Sequence, residues 1–313
     1  QNSTFKIHNF IKFSLRLSKH IHFVKRYGIN YNTPTLKLTL GKYTLDLSEK
    51  TYIMGILNVT PDSFSDGGLY LEPKKAIEQS FKMKEEGADI IDIGGQSTRP
   101  GSTPVSEKEE LKRILPVLKA LAGRIKLPIS IDTYSSRVAE ECLKEGANMI
   151  NDISGLRFSP NMAEVIARFN AGCVIMHIKG RPKDMQNNPT YQDLFSEIMA
   201  YLREGIKIAE GSGISQIIID PGIGFGKTLP HNLKIIKGLN RFKALKKPIL
   251  IGVSRKSFIG QILNLPTSER FEGTLAAVCY SILKGANIVR VHDVAGVKRA
   301  IDVIDAIKIK ACV

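Results

Sequence analysis

Gly285-Ala286-Asn287-Ile288-Val289-Arg290-Val291-His292-Asp293 joins a helix end, a buried strand and a chemical terminus in nine residues. Its opening recurs at Gly87-Ala88, before Asp89–Ile93, and at Gly146-Ala147, before Asn148–Ile153. Each glycine follows a Lys- or Glu-rich amphipathic segment. Glycine just past a helix end supplies the left-handed cap, and the strand begins at once. Three copies of one joint imply a repeated βα unit.

Outward from this joint, apolar runs begin near Ile53, Ile90, Ile129, Met149, Val174, Ile217, Ile249 and Ile288. They do not alternate apolar with polar residues, as water-covered strands do, so they read as parallel strands buried on both faces. Helical patterns fall at about 73–86, 106–122, 136–145, 160–170, 192–211, 231–239, 272–285 and 295–308. Ser106 and Glu109 form a capping-box pattern. Residues 36–47 alternate around Gly41-Lys42, which predicts a β-hairpin placed to plug the lower end of a barrel. The fold class is α/β, a (β/α)8 TIM barrel with a short N-terminal β-hairpin. An open doubly wound sheet is the runner-up, and its usual phosphate fingerprint is missing. The 313 residues divide into a basic leader, 1–35, disordered or targeting, and a barrel domain, 36–313.

The formal charge is +15; residues 1–35 hold six Lys or Arg and no acid, and removing those six leaves +9. Such a surface is either merely solvated or a field that attracts anionic substrates. No motif or aromatic-interleaved basic stretch points to nucleic acid, and no segment has the roughly 18 apolar residues of a membrane span. Cys142, Cys173, Cys279 and Cys312 form no CxxC pair and read as reduced thiols, suiting a cytoplasmic protein. The acid-free leader also fits a transit peptide, which would place the protein in an organellar matrix.

The strand ends carry the chemistry. Asp132, Asn151, Asp152 and Asp220 end buried runs, where a carboxylate is costly without a partner. N-capping is the competing role for Asp132, with Ser135 and Ser136 as rivals. Two carboxylates and an amide around one mouth suit a flat, donor-rich heterocycle, since a carboxylate accepts two parallel N–H bonds. The run Gly222–Thr228 looks like a phosphate loop but has three residues, not four, between Gly222 and Gly226-Lys227. Its glycines therefore let backbone lie close to a flat ligand. Lys256 is a candidate nucleophile or proton-positioning cation, and the helix start at Ser257 a candidate carboxylate site. Arg290 and His292 alternate onto one face; with Arg99 and Asn58 they would form a pyrophosphate pocket, although a salt bridge inside the barrel competes for Arg290. The loops 58–68 and 94–101 are Gly- and Ser-rich and could act as lids. Zinc spacing and a nucleophile elbow are both missing.

At these residues the chain resembles the dihydropteroate synthases of folate synthesis. The resemblance spans roughly residues 36–308 and rests on Met54–Gly68, Ser97–Gly101, Asp220-Pro221-Gly222 with Gly224–Lys227, Ser254–Ser257 and Arg290–Asp293. It implies condensation of 6-hydroxymethyl-7,8-dihydropterin pyrophosphate with 4-aminobenzoate, releasing pyrophosphate. Asp132, Asn151, Asp220 and Lys256 would hold the pterin, with Arg255 stacked across it. Asn58, Arg290 and His292 would hold the pyrophosphate, Asn58 also lying near Mg2+. Phe64, Thr98, Arg99 and Pro100 would shape the aminobenzoate pocket, and Ser257 would receive its carboxylate. Asp132, Lys256 and Arg99 would be catalytic, in an SN1-like step. A homodimer through the late helices is expected. Gln96 stands where that family's loop usually has Glu, which removes a charge beside Thr98-Arg99. A pterin-dependent corrinoid methyltransferase would share Asp132, Asn151 and Asp220 without needing the Ser97–Arg99 loop or the Arg290/His292 pair. A non-catalytic pterin binder would not need the loops.

Overall fold

The structure, a computed structural model, describes residues 36–60 and 68–310. The expectations for residues 1–35 and for Phe64 lie outside them. Strands β1 (Lys37–Leu40) and β2 (Tyr43–Asp46) pair antiparallel. Eight parallel strands follow in one sheet: β3 (Tyr52–Asn58), β4 (Ile90–Gly94), β5 (Ile129–Asp132), β6 (Met149–Asp152), β7 (Gly172–Met176), β8 (Ile217–Asp220), β9 (Leu250–Ile251) and β10 (Ile288–Val291). They run in the order β8-β7-β6-β5-β4-β3-β10-β9, and a parallel bridge between Ile219 and Ile249 joins the two edges into a barrel. The helices are α1 (Gly68–Glu85), α2 (Glu107–Leu121), α3 (Ser136–Lys144), α4 (Met162–Arg168), α5 (Leu194–Gly211), α6 (Leu229–Lys237), α7 (Ser257–Leu263), α8 (Phe271–Leu283) and α9 (Val294–Lys310). The open doubly wound sheet is thereby excluded.

The repeated joint is a repeated set of bonds. Gly87, Gly146 and Gly285 have φ of 102°, 99° and 104°. The residue two places on then reaches to a neighbouring strand: Asp89, Asn148 and Asn287 accept from the amides of Ile53, Ile129 and Ile249 at 2.9, 2.9 and 3.0 Å. Each side chain satisfies an amide at a strand start that has no ladder partner of its own.

Strand alternation sorts residues to two faces. Ile53, Ile91, Ile131, Ile150, Ile175, Ile219 and Val289 pack outward under the helices. Met54, Ile90, Met149, Val174, Ile218, Leu250 and Ile288 fill the lower interior, together with Leu38, Leu40 and Leu45 of the hairpin. The hairpin therefore plugs the lower end, and polar side chains gather toward the C-terminal ends of the strands.

Candidate active site

Two residues on from the lower apolar layer, the interior turns polar. Asp92 follows Ile90, Asn151 follows Met149, Asp220 follows Ile218, and Arg290 follows Ile288. Asp132 is free for this interior because Ser135 takes the helix cap, accepting from Val138 N at 3.3 Å. Asp152 faces the other way: its carboxylate accepts from Ser154 N at 2.7 Å and Leu156 N at 2.9 Å, tying the turn after β6. Asp152 is structural, while Asn151 enters the site.

Arg290 bridges two carboxylates across the barrel. Its Nε donates to Asp92 Oδ2 and its Nη2 to Asp132 Oδ2, both at 2.6 Å, and Asn151 Nδ2 also donates to Asp92 Oδ2, at 3.0 Å. The barrel salt bridge thus forms, and it leaves Asp92 Oδ1 and Asp132 Oδ1 buried without a partner. Burial pushes the Asp132 carboxyl up to about 7, against the pull of Arg290. Two unsatisfied acceptor oxygens in a dry interior create demand for a donor-bearing ligand.

Asp220 and Lys256 form the opposite wall. Asp220 is 5% exposed and accepts from Gly222 N at 2.7 Å; burial raises its pKa, and the cations Lys256, Lys227 and Arg290 oppose that shift. Lys256 Nζ donates to Ile223 O at 2.5 Å and lies 4.2 Å from the centre of the Phe225 ring. Burial lowers the ammonium to about 8. Gly222 is required where the loop crosses β7: its φ is +70°, and a Cβ there would sit 1.9 Å from His177 O.

His292 lies beside this wall. Its backbone N–H donates to Ser254 Oγ at 3.3 Å, and Nδ1 lies 3.0 Å from the same oxygen. Ser254 Oγ is able to donate its proton to Nδ1, the arrangement that would leave the imidazole N–H on Nε2. Burial and the nearby Arg290 and Arg255 push His292 down to about 4, so it offers a neutral donor. Arg99 and Pro100 are exposed and Thr98 half-buried on the outer part of the 94–101 loop, and the Arg99 charge also reaches His292. Asn58 and Asp132 approach one point: a Cβ on Gly94 would lie 3.7 Å from Asn58 Oδ1 and 3.8 Å from Asp132 Oδ2.

A family model described as pterin binding enzyme matches residues 54–292. A dihydropteroate synthase from Clostridium beijerinckii is 47% identical over 273 residues, covering 86% of this chain and 99% of that protein. A solved dihydropteroate synthase from Clostridium difficile, studied in the presence of pteroic acid, matches with TM-score 0.80 at 45% identity, covering 84% of this chain and 98% of that one. One from Xanthomonas albilineans, solved with 4-aminobenzoic acid, gives TM-score 0.83 at 39% identity, covering 88% of this chain and 99% of that one. The chain belongs to the dihydropteroate synthase family. It is an enzyme, a transferase.

Two of the expected site residues lie outside the cluster just described. Arg255, expected to stack across the pterin, has φ +55° and commits its guanidinium to both oxygens of Asp293. Arg290, one strand over, is the guanidinium that reaches Asp92 and Asp132 inside the barrel. Ser257 is exposed and begins a helix of seven residues. Lys256, Asp132, Asn151, Asp220 and His292 converge as expected.

Sequence reasoning missed Asp92 and Glu110. Asp92 was legible in the alternation that placed Arg290 and His292: it is two residues past Ile90 and two before Gly94. Glu110 is 1% exposed under the 94–101 loop, with its Oε1 unpartnered. Gln96 Nε2 donates to Glu110 Oε2 at 3.2 Å, and Tyr134 Oη donates to Gln96 Oε1 at 3.1 Å. A second carboxylate at position 96 would face Glu110 instead of donating to it, so the departure at Gln96 relieves a like-charge contact.

Proposed function

We propose that the chain joins 6-hydroxymethyl-7,8-dihydropterin pyrophosphate to 4-aminobenzoate, giving 7,8-dihydropteroate and pyrophosphate. The observation that carries this reading is the pair of buried carboxylates, Asp132 and Asp220, facing one interior with Asn151, Lys256 and Arg290. A pterin presents an amino-pyrimidinone edge rich in N–H donors, and carboxylates accept such edges in parallel pairs. The relatives solved with pteroic acid and with 4-aminobenzoic acid support the two substrates.

Asp220 would take the amino-pyrimidinone edge, with Lys256 Nζ donating to a ring acceptor. The Asp132 carboxylate, paired with Arg290, would stabilise positive charge that develops on the pterin as the pyrophosphate departs. This favours an SN1-like step, in which the weakly basic arylamine attacks a delocalised cation and needs no strong base. Neutral His292 would donate Nε2–H to a departing oxygen. Arg99 would close over the site and exclude water, which would otherwise capture the cation.

Mg2+ fits the residues present. Asn58 and Asp132 supply hard oxygen donors: Asn58 Oδ1 and Asp132 Oδ2 lie near one point beside Gly94, and Asp132 Oδ1 has no partner. Among the described residues no group of three or more His, Cys, Asp or Glu could hold a metal alone, so phosphate oxygens would complete the shell. When bound, the ion would neutralise charge on the leaving pyrophosphate. The second copy of a homodimer would pack on α8 and α9. Cys142, Cys173 and Cys279 are free thiols, which supports a reducing compartment, cytoplasm or organellar matrix. No described helix is long and apolar enough to cross a membrane.

The test supplies purified protein with dihydropterin pyrophosphate, 4-aminobenzoate and Mg2+. Dihydropteroate and pyrophosphate should appear in equal amounts. Pterin binding with no product would sink the synthase and leave a pterin-binding protein.

A further inference from the structure

The lysine that almost completes a phosphate loop is turned away from any phosphate. Lys227 is 2% exposed. Its Nζ lies 2.8 Å from His177 Nδ1, 2.9 Å from Phe225 O and 3.4 Å from His177 O. Three acceptors match the three protons of an ammonium and leave none for a substrate. His177, 4% exposed, packs edge-on against Tyr201 at 4.8 Å. Burial and the Lys227 charge hold its ring well below the usual imidazole range, so Nδ1 keeps a lone pair to accept with. Burial also draws Lys227 toward neutrality, which the Asp220 carboxylate opposes.

The rest of the 222–226 loop is tied as fully. Asn232 Oδ1 accepts from Gly224 N at 2.8 Å, Gln186 Nε2 donates to Gly224 O at 2.6 Å, and Tyr191 Oη donates to Gly226 O at 2.7 Å. Lys227 is the tie that runs from this loop to the end of β7. The loop in turn presents Ile223 O and the Phe225 ring to Lys256.

We propose that Lys227 is a positioning residue that clips the 222–226 loop to His177 and thereby holds Ile223 O and Phe225 in place against Lys256. The inference rests on the pterin-site reading above. A buried side chain that locks a site-bearing loop keeps its groups within the fraction of an ångström that binding needs.

The test is Lys227→Met in the full chain, which keeps the side-chain length and removes every donor. The apolar side chain fills the same space, and the loss falls on three acceptors, His177 Nδ1, His177 O and Phe225 O, that lose their donor. Three quantities are read: melting temperature, hydrogen exchange of the peptide covering 221–227, and the dissociation constant for dihydropterin pyrophosphate. The melting temperature should fall by a few degrees, with the protein still folded at the assay temperature. Exchange in the loop should rise about tenfold, and the dissociation constant about tenfold, while kcat at saturating pterin stays within about threefold. His177→Phe, which removes only the Nδ1 acceptor, should move exchange and affinity the same way by about threefold, and it decides the matter should Lys227→Met not fold. Unchanged loop exchange, or a loosened loop with unchanged pterin affinity, would overturn the inference and leave the proposed function standing. A wild-type protein that binds no dihydropterin pyrophosphate would overturn both.

Discussion

Asp220 and Lys256 do their work at the level of single atoms. Asp220 holds one oxygen on Gly222 N, and among the described residues no salt bridge takes its carboxylate, which would leave the other oxygen to a ligand. Lys256 has one proton on Ile223 O and two to give. Lys256→Ala and Asp220→Ala should each weaken pterin binding on the order of 100-fold, the scale of losing a charged bond in a dry site. Arg99→Ala, on the exposed loop, should leave pterin affinity within about threefold and slow turnover. Isothermal titration with the pterin, set beside steady-state rates, separates the two outcomes; near-normal affinity in the first pair would move the pterin pocket elsewhere. Glu110 gives a prediction of a different sign. Burial pushes it up to about 7 from an ordinary 4.5. Its folded pKa lies above its unfolded one, so its favourable effect is complete at low pH and fades as pH rises through 7. Ionised at pH 8, it burdens the fold by up to about 3 kcal/mol. Glu110→Gln should therefore raise the melting temperature at pH 8 and change it little at pH 4. Equal shifts at both pH values would show that ionisation is not the cause.

At the scale of elements, the Gly-Ala joint and the apolar runs made the barrel legible, because both are local. The glycine conformation belongs to the chain itself, and burial on two faces leaves an unbroken apolar run. Expected strand starts fall within two residues of the observed ones. The segment after Ser257 resisted, because α7 is only seven residues long and is followed by a short 3-10 turn, Thr267–Glu269, so no helical period has room to show. Cap chemistry was half legible: Ser106 accepts from Glu109 N at 3.2 Å, but Glu109 turns to Arg113 at 2.9 Å instead of closing the box. Side-chain partners across the barrel, such as Arg290 with Asp92, were not legible, since 198 residues separate them and no local period links them. The third residue of the joint yields a prediction. Asn287→Ala removes the acceptor for Ile249 N at a strand start remote from the polar strand ends. It should cost about 1–3 kcal/mol of stability, the scale of an orphaned buried donor, with kcat unchanged. Chemical denaturation with a parallel rate assay checks both halves; a drop in kcat at full folding would connect the two ends of the barrel.

At the scale of the whole molecule, an apolar surface on the late helices stands out among the described residues. Tyr280 and Leu283 on α8 and Val303 and Ile307 on α9 are 40%, 56%, 60% and 54% exposed, on helices that pack side by side. A chain with a formal charge of +15 gains solubility from its charge, and an apolar patch held open to water works against that gain unless something covers it. The patch carries charges of both signs: Lys284 adjoins Leu283, and Asp302, paired with Lys298, adjoins Val303. A two-fold axis that lays α8 on the partner's α9 would bring each sign toward its opposite, the self-complementarity that an isologous interface needs. The proposed homodimer would therefore use this face, and the strand ends proposed to hold the pterin would stay clear of it. Light scattering on the wild type should give twice the chain mass at micromolar concentration. Leu283→Asp with Val303→Asp should give the monomer mass, with pterin affinity within about threefold, since neither residue contacts the carboxylate pair. A wild type that is monomeric at that concentration would rule the interface out, and a double variant that stays dimeric would place it on another face.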